Sequence, residues 1–526
     1  MTKPVTINQN RLLTAPNLLF WIALGGFGIG SMLFLYWLTP HGPGLSPDSM
    51  SYLVGARNIL LGRGYTVTGS PETHFPPLYS LAIAIVRILE KDLLQAARIL
   101  NSVIFGLNIM GSMGLVYLAT RRNMPAAVLA ATTMLVSFPF ARWHAMALSE
   151  PLFIFFSLLC ILFLGLFISK QSRITLVFSS LCLSFCILTR YIGASYIPVA
   201  VGIVFFLTSA RTLGLKWGNI LLYLLGTGFL PGLFFLYNWL SASEVTDRSL
   251  VFHPINPLEY IQTIYLEICK FLMPFPVFQI GLSAVITILL VLLITLALRK
   301  TRPTMLSIDW GESANWVALL TFLFSAAYLS FLFISITYFD ALTPVNQRLL
   351  LPVFAFFLIG IFPTVMKATL VLNKPTLWNA FLLFFMLMVV IKTPVLYTQV
   401  GNLRKKSLGY QIHDIDHSKI VAIAKHTPRV VKIYSNSTDV LRFLVDRKID
   451  SLPYIIFPTT ALNNPNYKQE LDSICNELSR KEAIIVFLKV GVFRPYFPKI
   501  ADLQLACSRS KSTTFPDGFI LGSYKE

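Results

Sequence analysis

Runs of about twenty mostly apolar residues, with few charges inside them, recur from residue 17 to residue 396 of this chain. A helix of that length rises about 30 Å, the thickness of a bilayer's hydrocarbon core. No other feature limits the possible folds so strongly. Only 13% of the 526 residues are charged and the mean hydropathy is +0.68, so lipid is the solvent and the soluble-enzyme classes are excluded. The formal net charge of +19 does not point to nucleic acid. The basic residues stand mostly singly between apolar runs, where they set membrane topology.

The runs predict an α-helical polytopic membrane protein of about eleven transmembrane helices. They fall near 17–39, 97–119, 125–140, 147–169, 174–190, 192–209, 219–240, 276–298, 316–338, 349–366 and 376–396. Segment 76–89 is also apolar but short for a span. If it crossed, Arg121 and Arg122 would lie outside; if it only dips into the outer face, they lie inside. The positive-inside rule favours the second reading, which makes 48–92 one external loop. Residues 1–13 lead into the first run with no small-residue cleavage site, the pattern of an uncleaved anchor.

The N-terminus, with Lys3 and Arg11, is then cytoplasmic, as are Lys170, Arg173, Arg211, Lys216, Arg299, Lys300, Arg302, Lys367 and Lys374. Of the twelve carboxylates in 1–399, only Asp309 and Glu312 face the cytoplasm. Asp48, Glu72, Glu90, Asp92, Glu150, Glu244, Asp247, Glu259, Glu267 and Asp340 gather on the outer side. Orientation depends little on acidic residues, so this skew is independent evidence of polar chemistry on one face.

The domain division is 1–399 in the membrane, with an external loop at about 40–96, and 400–526 outside. The second part has no run long enough to span. It reads as a small α/β extracytoplasmic domain, with strands at 429–435 and 482–489 and helices from Ser437 or Thr438 to Val445 and over 467–480. Asn436-Ser437-Thr438 reads as helix capping. Cys475 and Cys507 there either pair as a disulfide or remain two buried thiols. None of the six cysteines forms a CxxC or a Cys/His metal pattern.

The external loop carries Asp48 just past the first span, followed by an amphipathic run from Tyr52 to Leu61 that Gly62 and Gly64 end. Asp48 is either the cap of that helix, a role Ser46 competes for, or a reactive carboxylate at the membrane surface. Asp48, Tyr52, Ala56, Gly62 and Pro76-Pro77-Leu78-Tyr79 stand in the order seen in the first external loop of GT-C glycosyltransferases. The loop resembles in particular that of the protein O-mannosyltransferases and the aminoarabinose transferase of lipid A. Further pieces follow in family order: Leu148-Ser149-Glu150-Pro151-Leu152-Phe153, Leu188-Thr189-Arg190 and Arg348-Leu349-Leu350-Leu351-Pro352. The stretch IYSNSTDVLRFLVDRKIDSLP resembles the external domain of such enzymes.

The resemblance implies an inverting transfer of a sugar from a polyprenyl-phosphate donor to an acceptor lipid, glycan or protein. The reaction would occur on the extracytoplasmic face of a bacterial plasma membrane, as part of cell-envelope chemistry. By position Asp48 is the general base. Arg348 and Arg190 are the candidate cations for the donor phosphate, against a reading as end-of-helix arginines that reach for water. Tyr52, Glu150, His74, Tyr79 and Asp340 are candidates for substrate contact; Glu150 reads equally as structural, and His74 with Glu72 as solvated. Several relatives have Asp-Glu where this chain has Asp48-Ser49, and no Asp-x-Asp stands in the loop, so metal-independent transfer without a cofactor is expected. The alternative is a transporter or flippase of lipid-linked sugars, which commonly shows repeats and mid-membrane charges; neither stands out here.

Overall fold

The computed structural model describes residues 18–523 except 68, 209–212, most of 274–308, 341, 406–407, 411, 490–493 and 509. The helix expected at 276–298 therefore lies largely outside the described residues. Helix α1 (Leu18–Leu38) is followed by α2 (Pro47–Leu60), α3 (Leu78–Leu89) and α4 (Leu93–Ala119). α1 and α4 cross where Gly28 meets Met110 and Gly106 meets Met32 and the Gly28 carbonyl. A Cβ on Gly106 would sit 2.6 Å from that oxygen, so only glycine permits the approach. α4 has 27 residues and rises about 40 Å. Its first turns lie beside the end of α1, where Arg98 donates to the Tyr36 carbonyl at 2.7 Å. At its far end Arg121 pairs with Glu312 at 3.2 Å, and Lys367 with Glu312 at 3.0 Å. Residues 39–92 thus return to the end of the bundle from which they left, and α3 does not cross.

Next come α5 (Met124–Leu135), α6 (Phe138–His144), α7 (Glu150–Lys170), α8 (Arg173–Thr189), α9 (Tyr196–Leu207), α10 (Leu213–Ala242) and α11 (Pro257–Leu272). After them run α12 (Ser313–Tyr338), α13 (Leu351–Leu372) and α14 (Pro375–Lys405). Seven described helices are long and apolar enough to cross a membrane, or eight if the bent pair α5 and α6 is counted as one span. A span was expected near 125–140; the two helices that fall there meet at 66°. Pro139 cannot donate a backbone hydrogen bond and disfavours helical backbone just before it, so the helix breaks there. α8 and α9 fall where spans were expected but are shorter, at 17 and 12 residues.

The C-terminal part adds α15 (Ile412–Asp416), α16 (Lys419–His426), α17 (Thr438–Val445), α18 (Tyr467–Ser479) and α19 (Ile500–Ala506). Strands β1 (Lys432–Ser435), β2 (Asp450–Ser451), β3 (Ala483–Leu488), β4 (Ser512–Phe515) and β5 (Gly518–Leu521) form one sheet in the order β2-β1-β3-β5-β4. β1 runs parallel to β2 and β3, with Lys432 opposite Ala483; β3 and β5 are antiparallel, with Leu488 opposite Gly518. Cys475 and Cys507 form a disulfide. Asn436 does not cap α17. Its amide donates to the Leu488 carbonyl and accepts from the Leu488 N–H, both at 2.9 Å, and so ties off β3. Ser437 holds the cap position of α17 without a capping side-chain bond.

This unit sits on the loop after α1. The Leu45 N–H donates to the Leu408 carbonyl at 2.9 Å, and the Tyr410 N–H to the Leu45 carbonyl at 3.0 Å. Gly409 between them has φ +71°, and a Cβ there would lie 1.7 Å from the Leu45 oxygen. Gly409→Ala is expected to unseat this junction at a cost of at least about 1–3 kcal/mol. A lowered thermal midpoint of the purified protein checks it; an unchanged midpoint refutes it.

Candidate active site

α2 begins with a reciprocal cap. The Ser49 N–H donates to Ser46 Oγ at 3.3 Å, and the Ser46 N–H to Ser49 Oγ at 3.0 Å. Pro47 fills the first helical position, where its missing N–H costs nothing. Ser46 therefore takes the capping role, and the Asp48 side chain is left free to point elsewhere. It meets Arg348, whose Nη2 donates to Asp48 Oδ2.

Arg348 reaches this place from the loop between α12 and α13. It is neither an exposed nor a water-seeking arginine: its Nε donates to Glu150 Oε1 at 2.6 Å. The same oxygen holds Arg190 Nη1, also at 2.6 Å. Arg190 arrives because α8 stops at Thr189 and the next residue is extended, with φ −152° and ψ 131°. Glu150 is fully buried at the start of α7. One carboxylate oxygen thus holds two guanidinium groups side by side against their mutual repulsion. Arg190 Nη1 also donates to Ser149 Oγ at 3.2 Å, and Ser149 bonds the Tyr52 hydroxyl at 2.9 Å.

Several of these groups border a cavity of about 830 Å³. Asp48, Tyr52, His74, Arg190, Asp340 and Arg348 line it. Much of the remaining wall is apolar, with Ile187 from α8, Phe235 from α10 and Phe331, Leu332 and Ile336 from α12. Burial, the largest single influence, would raise the Asp48 carboxyl, but Arg348, His74 and Arg190 together hold it below the usual carboxylate range. His74 is not simply solvated. Its Nδ1 lies 2.9 Å from Asp247, and although burial alone would lower the imidazole, that carboxylate raises it above its ordinary value. Glu72 accepts the His74 N–H at 2.8 Å and the Phe75 N–H at 3.2 Å.

Two sequence candidates do not reach the cavity. Tyr79 is buried beneath Tyr52, edge-on at 5.0 Å between ring centres, and donates to Asn101 Oδ1 at 2.9 Å. Glu150 stands behind the two arginines. One charged lining residue was missed: Arg248, on the loop after α10, borders the cavity and pairs with Asp340. A basic residue in a loop assigned to the outside ran against the topology rule, and that was its signal.

The arrangement places two carboxylates, three guanidinium groups and an apolar wall in one space. It can bind a lipid with an anionic head and present a base beside it. No protein-family model and no curated protein matches the sequence. Among solved structures, ArnT from Cupriavidus metallidurans bound to undecaprenyl phosphate matches with TM-score 0.55 and 13% identity, over 95% of this chain and 97% of that one. The apo state of the same protein matches with the same values. The chain accordingly has the fold of ArnT, that of a polytopic membrane protein.

Proposed function

We propose that this chain is an inverting glycosyltransferase that moves a sugar from a polyprenyl-phosphate donor to an acceptor on the extracytoplasmic face. The observation that carries the reading is the meeting of Asp48 and Arg348 on the wall of a cavity that also has a broad apolar lining. The lipid tail takes the apolar part, between α8, α10 and α12, and the sugar-phosphate head takes the polar end. Both the loop motifs and the shared fold with ArnT, one of whose structures is bound to undecaprenyl phosphate, support it.

In the transfer, Asp48 accepts the proton of the acceptor O–H or N–H while that atom attacks the anomeric carbon. The bond from that carbon to the phosphate oxygen breaks, and its electron pair leaves on the phosphate. The products are the glycosylated acceptor, polyprenyl phosphate and a protonated Asp48. A single displacement of this kind inverts the anomeric centre. Arg348 and Arg190 stabilise the charge that grows on the leaving phosphate.

The chain's own cations supply the charge that a metal would otherwise bring, so transfer is proposed to be metal-independent. Treatment with EDTA is expected to leave the rate unchanged, measured as release of undecaprenyl phosphate; a loss restored by a divalent cation refutes this. The outer location is supported by the skew of lysine and arginine between loops and by the Cys475–Cys507 disulfide, a bond of oxidising compartments. The acceptor is drawn from lipids, glycans and proteins, and no nucleic acid is involved. The deciding experiment incubates the purified chain with undecaprenyl-phosphate sugars and membrane extract. Sugar-free undecaprenyl phosphate and a glycosylated product are expected, whereas passage of intact donor across a vesicle without cleavage would make the chain a flippase.

A further inference from the structure

We propose that Asp48 and Arg348 mask each other until the donor arrives, and that Glu150 is the positioning residue that retains Arg348 when the donor phosphate draws it away, so that donor binds first and frees the base. This rests on the function proposed above. Nε and Nη2 form one edge of the guanidinium, an edge suited to a single carboxylate. Here that edge is split, with Nη2 on Asp48 and Nε on Glu150. An acidic group held in an ion pair is a weaker base, and a guanidinium shared by two carboxylates is not free for a phosphate. Neither partner is ready to act.

The two carboxylates differ in what releasing Arg348 costs. The Asp48 side chain is 29% exposed and lines the cavity. The Glu150 side chain is 1% exposed, and its Oε2 is buried with no hydrogen-bond partner among the described residues. Leaving a buried charge short of a partner is expensive, whereas an exposed one recovers water. An arriving phosphate therefore takes Arg348 from Asp48. Glu150 Oε2 is then the acceptor for Nη2, closing a two-bond pair on one carboxylate. The guanidinium stays in the wall with its outer face toward the phosphate. Asp48 is released, and the new anion beside it makes it more basic. An acceptor entering first meets a masked base, which sets the order of binding.

The test measures binding of undecaprenyl phosphate, and of neutral undecaprenol as control, to the purified full-length chain in nanodiscs. Masking lowers apparent affinity by the fraction of molecules left unmasked, about tenfold if a tenth are. Asp48→Asn is expected to bind the phosphate lipid about tenfold tighter while undecaprenol binding is unchanged. Equal or weaker phosphate binding overturns the masking. Glu150→Gln, introduced into Asp48→Asn, is expected to weaken phosphate binding. Tighter or unchanged binding would make Glu150 a mere competitor and overturn its positioning role; Glu150→Asp serves the same comparison where Glu150→Gln does not fold. If the wild-type chain binds the phosphate lipid no better than undecaprenol, the glycosyltransferase reading itself fails, a result distinct from the others.

Discussion

Asp48→Asn is expected to lower kcat by about 10²–10⁴-fold, the usual contribution of a positioned general base. Asn keeps the size and the acceptor oxygen that Arg348 contacts, but it cannot take a proton. The α2 cap belongs to Ser46 and Ser49, so the helix should keep its start and the protein its thermal midpoint. A variant transferring sugar at the wild-type rate would remove the base from Asp48. The pH profile gives a second check. Burial is the largest single influence and raises Asp48, but Arg348, His74 and Arg190 together lower it below its ordinary value. In the free enzyme the carboxylate therefore stays ionised below its ordinary value. The acid limb of kcat/KM due to this residue should lie below about pH 4, and activity near neutrality should not depend on its titration.

Arg348→Ala is expected to cost about 10²–10³-fold in donor turnover, the scale of losing one preorganised charge stabiliser, with a raised donor KM. Arg348→Lys should recover only part of it, since an ammonium keeps the charge but not the planar fork. The fold should suffer less than the activity. Removing one partner of a buried pair typically costs about 3–5 kcal/mol, but Glu150 retains Arg190 at 2.6 Å and Asp48 faces the cavity. Side-by-side measurement of donor kinetics and thermal midpoint separates the two effects. Unchanged donor KM and kcat would leave Arg348 a structural residue.

Much of the site was legible in the chain because its residues bear the marks of their environment. A carboxylate at the edge of a span, or an arginine beside one, is costly in lipid and stands out against the apolar background. Asp48, Glu150, Arg190 and Arg348 were visible on that ground, although what each did was not. Glu150 was expected to contact substrate or serve structure; it holds two arginines from behind. Tyr79 was grouped with the site because it stands in the same motif as its neighbours, but in α3 its ring points to Asn101 and the underside of Tyr52. Arg248 was passed over because its partner Asp340 is 92 residues away.

By itself, then, the sequence determined the solvent and the helices. Hydropathy and charge are local quantities, and a run of twenty apolar residues has few other places to go. The bends in the spans, the end of α8 that delivers Arg190 and the pairing of Asp48 with Arg348 were decided only by the tertiary structure. Those depend on distances between residues as much as 300 positions apart, and a pairing across that separation is fixed by how helices pack, about which the spacing along the chain is silent.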